Sequence, residues 1–369
     1  MPRPLRVVIV AASLRILGGQ AVQAQRLLRG WEGDGRVDAR LAPINPLPRR
    51  PFDALLRVKY LRTLVTQLWY WPLLLREIRR AGVVHVFSAS YSSFLLAPLP
   101  AVLIARLVGR PVVLHYHSGE APDHLRRSAV ARYVLRHWVD LNVVPSAFLR
   151  DVFASFAIAA RTVPNTIDVR LFPYRVRYPL RPRLLSTRNF EPIYNVDCVL
   201  RAFARIQARH PLASLTLVGS GSQEAKLRGL ARALGLRHVT FAGRIPPSEV
   251  SQYYARADIY VQTPAIDNTP LSVLEAFASG LPVVSTGVGG VPALLTDGVH
   301  GLLAPDDDDE AVAAHVLTLL AAPEYARRLA AAAHDTCAGY GWPVVCNGWL
   351  EVYRAVVREP ALVPLAEPV

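Results

Sequence analysis

The stretch "DNTPLSVLEAFASG" (residues 267–280) has the pattern of one short helix with clear signals at both ends. Pro270 suits the first helical turn, and Asn268 or Thr269 can cap the first amides. Gly280 suits a left-handed stop. Apolar residues lie nearly all round the helix between these signals, which predicts that the helix is buried.

Two carboxylates accompany this helix. Asp267 lies just before its start, and Glu275 follows eight residues later, about 12 Å further along the axis at 1.5 Å per residue. The start of a helix attracts anions, phosphate above all, because its amides are unpaired and the helix dipole is positive there. A buried acid needs a partner, and ribose hydroxyls, an Arg or backbone amides would each serve Glu275. A purely structural alternative, a satisfied buried acid and a helix-start Asp, stays open.

Length and composition favour two domains in a reducing compartment. The chain has 369 residues, of which 52% are hydrophobic, enough for two sizeable cores. Its three cysteines lack metal-ligand spacing and do not suggest a disulfide framework.

Residues 1–183 hold 28 Lys and Arg against 10 Asp and Glu, whereas the rest of the chain has a small acidic excess. The basic half is therefore expected to face something anionic.

Short β-branched runs alternate with helical patterns along both halves, beginning with "LRVVIVAAS" (5–13). Buried parallel strands with crossover helices explain this order. The Pro- and Arg-rich segment "LFPYRVRYPLRPRLL" (171–185) interrupts it and is interpreted as an interdomain linker. Ligands bind beyond the carboxyl ends of such strands, so we expect a site in a cleft between two α/β units.

A resemblance to a known family rests on several segments. "PAIDNTPLSVLEAFASGLPVVSTGVGGVPALLTDGVHGLLAPDDD" (264–308) resembles the donor-site signature of family-4 (group 1) retaining glycosyltransferases of the GT-B fold. Shorter matches are "VPNTIDVRLF" (163–172), "LTLVGSGSQEAKL" (215–227), "VTFAGRIPPSEVSQYYARADIYV" (239–261) and "GGQ" (18–20).

The resemblance implies roles for individual residues. Glu275 would hold the ribose of a nucleotide sugar, and Asp267, where the family usually has Glu, would contact the transferred sugar. His117, or His115 in the other register, would lie beside the reacting sugar. The rest of the implied nucleotide-sugar site comprises Gly18, Gly19, Gly219, Gly221, Gly243, Arg244, Asn268, Thr269 and Leu271.

One segment departs from the family pattern. The family usually has an Arg, and five residues later a Lys, that neutralise the diphosphate. In "STRNFEPIYNVD" (186–197) these positions hold Asn189 and Tyr194, and Arg188 is one residue away. Arg188 and the helix amides would then stabilise the leaving group.

The sequence therefore predicts an α/β protein of GT-B fold, with two Rossmann-like parallel-sheet domains facing each other across a cleft. Residues 1–175 would form the acceptor-side domain, with a helix at about 341–358 packing back on it, and residues 184–340 the nucleotide-sugar domain. The expected function is metal-independent, retaining sugar transfer from a UDP- or GDP-sugar to a glycan or lipid-linked acceptor in cell-envelope or glycoconjugate biosynthesis, with no cofactor. The alternatives are a non-catalytic GT-B protein that binds a nucleotide or glycan and a sugar-nucleotide epimerase.

Other features allow competing interpretations. "LLRVKYLRTLVTQLWYWPLLLREIRR" (55–80) predicts either an ordinary surface helix or one that lies on an anionic membrane, so the expected location is cytoplasmic with or without attachment to the inner membrane face. Nucleic acid is not an expected partner, because no binding module is present. "VGSGSQEAKL" (218–227) lacks the third Gly of a dinucleotide fingerprint. "DDDDE" (306–310) is expected to cap a helix, not to hold a cation.

Overall fold

The computed structural model describes residues 3–15, 18–46 and 59–358. The strands are β1 Leu5–Ala11, β2 Val37–Pro43, β3 Val83–Ser88, β4 Val112–Tyr116, β5 Leu141–Val144, β6 Ala160–Thr162, β7 Arg183–Thr187, β8 Ser214–Val218, β9 Val239–Gly243, β10 Ile259–Gln262, β11 Val283–Thr286 and β12 Leu302–Ala304. The helices are α1 Gly19–Trp31, α2 Lys59–Arg79, α3 Tyr91–Leu96, α4 Pro98–Leu107, α5 Ala121–Arg127, α6 Ala129–His137, α7 Ala147–Ser155, α8 Val196–Arg209, α9 Glu224–Ala233, α10 Ser251–Arg256, α11 Leu271–Ala278, α12 Val291–Leu294, α13 Asp309–Ala321, α14 Pro323–Thr336 and α15 Trp342–Arg358.

The chain forms two compact units. Unit 1 comprises residues 1–166 and 342–369, and unit 2 comprises residues 167–341. Helix α15 thus belongs to unit 1, where Trp349 and Tyr353 pack in the same core as Ile9 and Val113.

The sheet of unit 1 has six parallel strands in the order β2-β1-β3-β4-β5-β6. β3 and β4 are buried at every position, as expected for strands covered on both faces. The apolar segment between β3 and β4 forms two helices, α3 and α4. The helix breaks at Ala97 because a residue before proline, here Pro98, disfavours helical backbone.

The sheet of unit 2 has six parallel strands in the order β12-β11-β10-β7-β8-β9. Counted from the first strand of the unit, this is the 3-2-1-4-5-6 order of a Rossmann sheet, with its topological switch point between β7 and β10. Two cores cover its faces, one including α8 and α13 and the other including α11 and α10.

The predicted linker is wrong in its first part, because the segment before β7 is packed into unit 2. Phe172 lies in the core of that unit. Arg177 is buried and donates to the carbonyl oxygens of Ser279 and Tyr254. The segment has the composition of a linker, yet the Arg177 guanidinium donates to carbonyl oxygens at the ends of helices α11 and α10.

The acidic run at 306–310 caps α13 as predicted. Asp308 accepts the amide of Ala311 at 2.9 Å, and Asp309 pairs with Arg201 at 3.0 Å. Within the described ranges, no His, Cys, Asp or Glu cluster has the arrangement of a metal site, and no helix is long and apolar enough to cross a bilayer.

Candidate functional site

The switch point of the unit 2 sheet brings two charged residues together. Arg188 follows β7, and Asp267 lies in the loop after β10. Because β7 and β10 are neighbouring parallel strands, both loops leave the same edge of the sheet. The crevice at that edge is where open α/β sheets bind their ligands.

The guanidinium of Arg188 is held on three sides. It forms a salt bridge with the Asp267 carboxylate, and Nη1 donates to Ser272 Oγ at 3.1 Å. The ring of Tyr194 lies against it, with its centroid 4.2 Å from the guanidinium carbon. Arg188 therefore lies inside the site, although alignment to the family places Asn189 at the Arg position. Tyr194, at the position where the family has Lys, supplies a cation–π contact to Arg188 and not a second positive charge.

The charge of Arg188 is maintained in a buried setting. Burial by itself would lower the pKa of Arg188, but the nearby Asp267 carboxylate raises it above its usual value. Arg188 Nε is buried and has no hydrogen-bond partner within the described residues. An arginine with an unused buried donor is suited to receive an anionic ligand.

Glu275 is buried on α11 and is held by a tyrosine. The Tyr254 hydroxyl donates to Glu275 Oε2 at 3.0 Å and lies 2.6 Å from Thr187 Oγ1. Burial and the adjacent Glu275 carboxylate raise the pKa of Tyr254 well above its usual value, so Tyr254 remains a neutral donor. This partner was not foreseen, and it satisfies the requirement that a buried acid be hydrogen-bonded.

The start of α11 differs from the prediction. The N-cap is Pro270, whose side chain forms no capping hydrogen bond, and not Asn268 or Thr269. Helix α11 begins at Leu271, so Glu275 lies only about 6 Å along the axis from the helix start. Gly280 has a positive φ of 72°, as predicted for the stop.

Four glycines fix the loops that carry the charged residues. A Cβ on Gly219 would lie 2.0 Å from the backbone oxygen of Arg188, and a Cβ on Gly221 would lie 2.4 Å from that of Phe190. Gly289 and Gly290 pack in the same way against the backbone of residues 267 and 268, and the Gly290 amide donates to the Asp267 carbonyl. Gly219 and Gly221 therefore bring the loop after β7 close to β8. The pair after β11 was missed by the sequence analysis, although "GVGG" (287–290) signals it.

The remaining predicted residues of unit 2 lie along the same edge. Gly243 ends β9 with a positive φ of 72°, and its carbonyl accepts the Gly219 amide at 2.9 Å. Arg244 follows and is exposed. The amide of Asn268, which is buried, donates to Asp267 Oδ1 at 2.9 Å, which fixes the carboxylate further.

Three further predicted residues belong to unit 1. Gly18 is the N-cap of α1 and Gly19 its first residue. His117 follows β4, and its amide donates to the Ser88 carbonyl at 3.2 Å. Gln20 Nε2 donates to that same carbonyl at 3.3 Å, so the start of α1 and the His117 loop meet at Ser88.

A chain of buried histidines lies behind His117. The His117 ring stacks on Phe87 and lies 4.0 Å from the His115 ring centroid. His115 Nδ1 lies 3.3 Å from His85 Nε2, and His85 Nδ1 lies 2.8 Å from the Tyr353 hydroxyl. Burial lowers the pKa of His85 and of His117 to about 3, and that of His115 well below its usual value, so all three are neutral at pH 7. His115 is engaged inside the sheet, which favours His117 over His115 as the residue presented to a ligand.

Several polar side chains around the charged pair are not among the residues predicted from the sequence. The missed residues are Thr187, Tyr254, Tyr260, Gln262, Ser272 and Ser285. Ser272 could have been found, since it lies three positions before Glu275 on one helix face. Gln262 could also have been found as a polar residue that ends an apolar strand.

A Rossmann-ordered sheet with an arginine and two acids at its switch point is typical of proteins that bind nucleotides at that edge. Two family models match the chain: "Glycosyltransferase Family 4" over residues 17–171 and "Glycosyl transferases group 1" over residues 177–336. The D-inositol 3-phosphate glycosyltransferase of Segniliparus rotundus is 32% identical over 317 residues, which are 78% of this chain and 69% of that protein. The chain therefore belongs to the family-4, group 1 glycosyltransferases, as the resemblance implied.

Other comparisons agree on family and fold. The GDP-mannose-dependent alpha-(1-6)-phosphatidylinositol monomannoside mannosyltransferase of Mycolicibacterium smegmatis is 30% identical, over 67% of this chain and 69% of that protein. Other relatives are matched over less of their length, for example 56% of the sulfoquinovosyl transferase SQD2 of Arabidopsis thaliana. The structure of Anabaena Alr3699/HepE in complex with UDP-glucose superposes with a TM-score of 0.75 at 18% identity, covering 95% of this chain and all of that one. The predicted GT-B fold class is confirmed.

Proposed function

We propose that this chain transfers a sugar from a nucleoside diphosphate sugar, such as a UDP- or GDP-sugar, to a hydroxyl of a glycan or lipid-linked acceptor. The observation that carries the proposal is Arg188, a buried cation with an unused donor at the switch point, next to the start of α11. The relatives named for sugar transfer support the donor class, and one of them is described as GDP-mannose-dependent.

In this proposal Arg188 and the first amides of α11 hold the diphosphate, since both present positive charge at one place. Glu275 accepts hydrogen bonds from the ribose hydroxyls, and Asp267 accepts one from the transferred sugar. The backbone at Gly219, Gly221 and the neighbouring Gly243–Arg244 turn borders the base. Asn268, Thr269 and Leu271 complete the donor site.

Unit 1 supplies the second set of groups. The start of α1, at Gly18 and Gly19, meets the phosphates with its first amides, for which the described residues provide no side-chain cap at Gly18. His117, neutral at physiological pH, hydrogen-bonds a hydroxyl of the sugar. A neutral imidazole can accept or donate there without adding charge beside the anomeric carbon.

The reaction proposed retains the anomeric configuration. The bond from the anomeric carbon to the diphosphate oxygen breaks, and a bond to the acceptor oxygen forms on the same face. The acceptor proton passes to the departing phosphate oxygen. We assign no carboxylate as a covalent nucleophile. Without ligand, Asp267 pairs with Arg188 through one oxygen and accepts the Asn268 amide with the other. The charge that a metal ion would otherwise supply is assigned to Arg188 and the helix amides.

Two features favour a second candidate, a non-catalytic protein that binds a nucleotide or glycan. Tyr194 replaces the family's Lys, and Asp267 forms a salt bridge with Arg188. Leaving-group stabilisation is the largest task of such an enzyme, and one paired arginine supplies less of it than an Arg and a Lys.

A screen of UDP, GDP, ADP and CDP sugars tests both candidates. Stabilisation by one of them in a thermal-shift assay, followed by release of its sugar to water or to a glycosyl acceptor, supports the transferase. Binding without release or transfer, with acceptors supplied, supports the binding protein. No stabilisation by any of these nucleotide sugars refutes the transferase and the nucleotide-binding form of the second candidate.

We place the reaction in the cytoplasm, in the synthesis of a glycoconjugate or cell-envelope polysaccharide. The cysteines at 198, 337 and 346 are all free and buried, as suits a reducing compartment. A lipid-linked acceptor would bring the protein to the inner face of the membrane.

A further inference from the structure

Helix α2 of unit 1 carries a second apolar stripe that is exposed. Leu64, Leu68 and Trp71 follow each other at helical spacing and are 64%, 67% and 42% exposed. The face of α2 that packs on the core is a different one, made by Tyr70, Leu74 and Ile78. The exposed stripe is therefore not needed for the folding of unit 1. Three large apolar side chains in one row exceed the single exposed residues normal on a surface.

The stripe continues onto α3 and is held in place. Trp71 Nε1 donates to Gln67 Oε1 at 3.1 Å, and Gln67 Nε2 donates to the Leu96 carbonyl at 3.0 Å. Leu95 and Leu96 are themselves 47% and 42% exposed. Trp71 and the end of α3 thus form one apolar face together with Leu64 and Leu68.

Helix α4 packs against both α2 and α3. An apolar groove lies along it. The groove has a volume of about 500 Å³ and lies between α4 and α6. Its lining includes Leu99, Leu103, Val130, Tyr133 and Trp138. Val130 and Tyr133 are exposed at its rim. Large apolar side chains are therefore presented to solvent on four helices of one unit.

Positive charge surrounds these helices. Residues 59–138 contain 11 Lys and Arg against three acids, Glu77, Glu120 and Asp123. Two of the acids are already paired, Glu77 with Arg76 and Asp123 with Arg126. At about 100° per residue, Arg79 lies beside the stripe of α2, and Arg62 and Arg76 lie further towards solvent. An apolar stripe flanked by arginines on the solvent side is the pattern of a helix that lies in a membrane interface.

The charge decides between a lipid surface and a second copy of the chain. In a symmetric pair the same patch faces itself, so the arginines around the stripe would oppose each other. An anionic lipid surface instead attracts every arginine near it while the leucines and Trp71 enter the headgroup region. Tryptophan suits that depth, because its ring is apolar and its N–H is polar.

We propose that the apolar face of α2 and α3, with its arginine rim, binds the surface of an anionic membrane. This goes beyond the proposed sugar transfer, because lipid binding needs neither donor nor acceptor. The stripe enters the headgroup region in the plane of the bilayer, and the arginines meet the lipid phosphates.

Co-sedimentation of the full chain with vesicles tests the proposal. Binding should be at least about tenfold stronger to phosphatidylcholine vesicles with about 30 mol% phosphatidylglycerol than to phosphatidylcholine alone. Raising NaCl from about 0.1 M to about 0.5 M should weaken it at least about fivefold. The variant Leu64→Ser/Leu68→Ser/Trp71→Ser should bind at least about tenfold more weakly, because it removes the apolar part of the attachment.

A matched control variant tests whether the loss of any three exposed apolar side chains weakens vesicle binding. Leu212→Ser/Leu234→Ser/Val299→Ser removes three large apolar side chains of unit 2 that are also exposed, at 86%, 38% and 47%. This control should bind vesicles like the unaltered chain. Both triple variants should keep their melting temperature and their nucleotide-induced thermal shift, so a failure of lipid binding is distinct from a failure of the transferase proposal.

Three results would overturn the proposal. The first is equal vesicle binding by the unaltered chain and the α2 variant. The second is an equal loss in the control variant. The third is a dimer in light scattering that the α2 variant alone converts to monomer, with no binding to anionic vesicles. That outcome would make the stripe an interface between copies of the chain.

Discussion

Replacing Arg188 by Met should destabilise unit 2 and weaken nucleotide binding, and the two effects can be separated. Met has similar length but no charge. The guanidinium now donates to Asp267 and Ser272 and contacts the Tyr194 ring. The side chains of Arg188 and Asp267 are only 9% and 15% exposed, so the change leaves a carboxylate nearly buried without its cation.

The magnitude follows from that burial. Breaking a buried ion pair by removing one partner costs about 3–5 kcal/mol. Asp267 would keep the Asn268 amide at 2.9 Å, which places the expected loss near the lower end, at about 3 kcal/mol. For a unit of this size, 1 kcal/mol corresponds to about 2–4 °C, so the melting temperature should fall by about 6–12 °C.

A second substitution separates folding from binding. Asp267→Asn in the Arg188→Met background removes the unpaired charge but keeps an acceptor for the Asn268 amide. The double variant should therefore regain about 2 kcal/mol of the loss, a coupling that urea unfolding of the single and double variants measures. UDP or GDP binding should stay at least about tenfold weakened in both Arg188 variants, because the charge-assisted bond to the phosphate is gone.

The control is an exposed pair of the same unit. Arg327 and Glu324 are 54% and 69% exposed, so Arg327→Met should change stability by less than about 0.5 kcal/mol. Strictly additive losses for Arg188→Met and Asp267→Asn would show that the buried pair does not organise the site. Wild-type nucleotide affinity in the double variant would refute the assignment of Arg188 to the phosphate.

Three further predictions use other parts of the structure. Glu275→Ala should weaken UDP or GDP binding at least about tenfold, since it removes the proposed ribose acceptor; unchanged affinity in calorimetry would contradict the site. Gly219→Ala should cost at least about 2 kcal/mol, because its Cβ would lie 2.0 Å from the backbone of the loop after β7. Gly243→Ala, with positive φ but open space, should cost only about 1 kcal/mol, and equal losses in thermal unfolding would refute this distinction. Burial lowers the folded pKa of His85 to about 3 and that of His115 well below its usual value, so the unfolded chain binds more protons at acid pH. Stability is therefore fully present above about pH 6.5 and is lost as the pH falls towards the folded pKa values. For His85 alone the loss is about 2 kcal/mol at pH 5. Urea unfolding at pH 7 and pH 5 measures this, and replacing either histidine by Phe should reduce the difference.

Local signals explain what the sequence predicted well. Asp308 caps α13, as expected from the acidic run at 306–310. Helix α11 ends near Gly280 as expected, because a left-handed stop is a property of one residue. The buried state of Glu275 followed from the apolar residues around it. Such features depend on neighbours along the chain and are visible without the fold.

Contacts between distant segments explain what was missed. The segment around Arg177 has the Pro and Arg content of a linker, but its guanidinium meets carbonyls more than 70 positions away. Tyr254 is not among the predicted site residues, and only the fold places its hydroxyl on Glu275. No periodicity or composition of either segment encodes these pairings, since they arise when separate elements pack.

The position of Arg188 shows why a one-residue offset in an alignment need not be an offset in space. Gly219 lets the backbone after β7 approach β8 so closely that no side chain would fit between them. That path directs the Arg188 side chain to Ser272 and Asp267, where the aligned Asn189 would have been expected. The ring of Tyr194 then covers a guanidinium and does not add a second cation. We therefore expect a diphosphate to compete with Asp267 for Arg188, and the carboxylate released by that exchange would be the one available to a sugar hydroxyl.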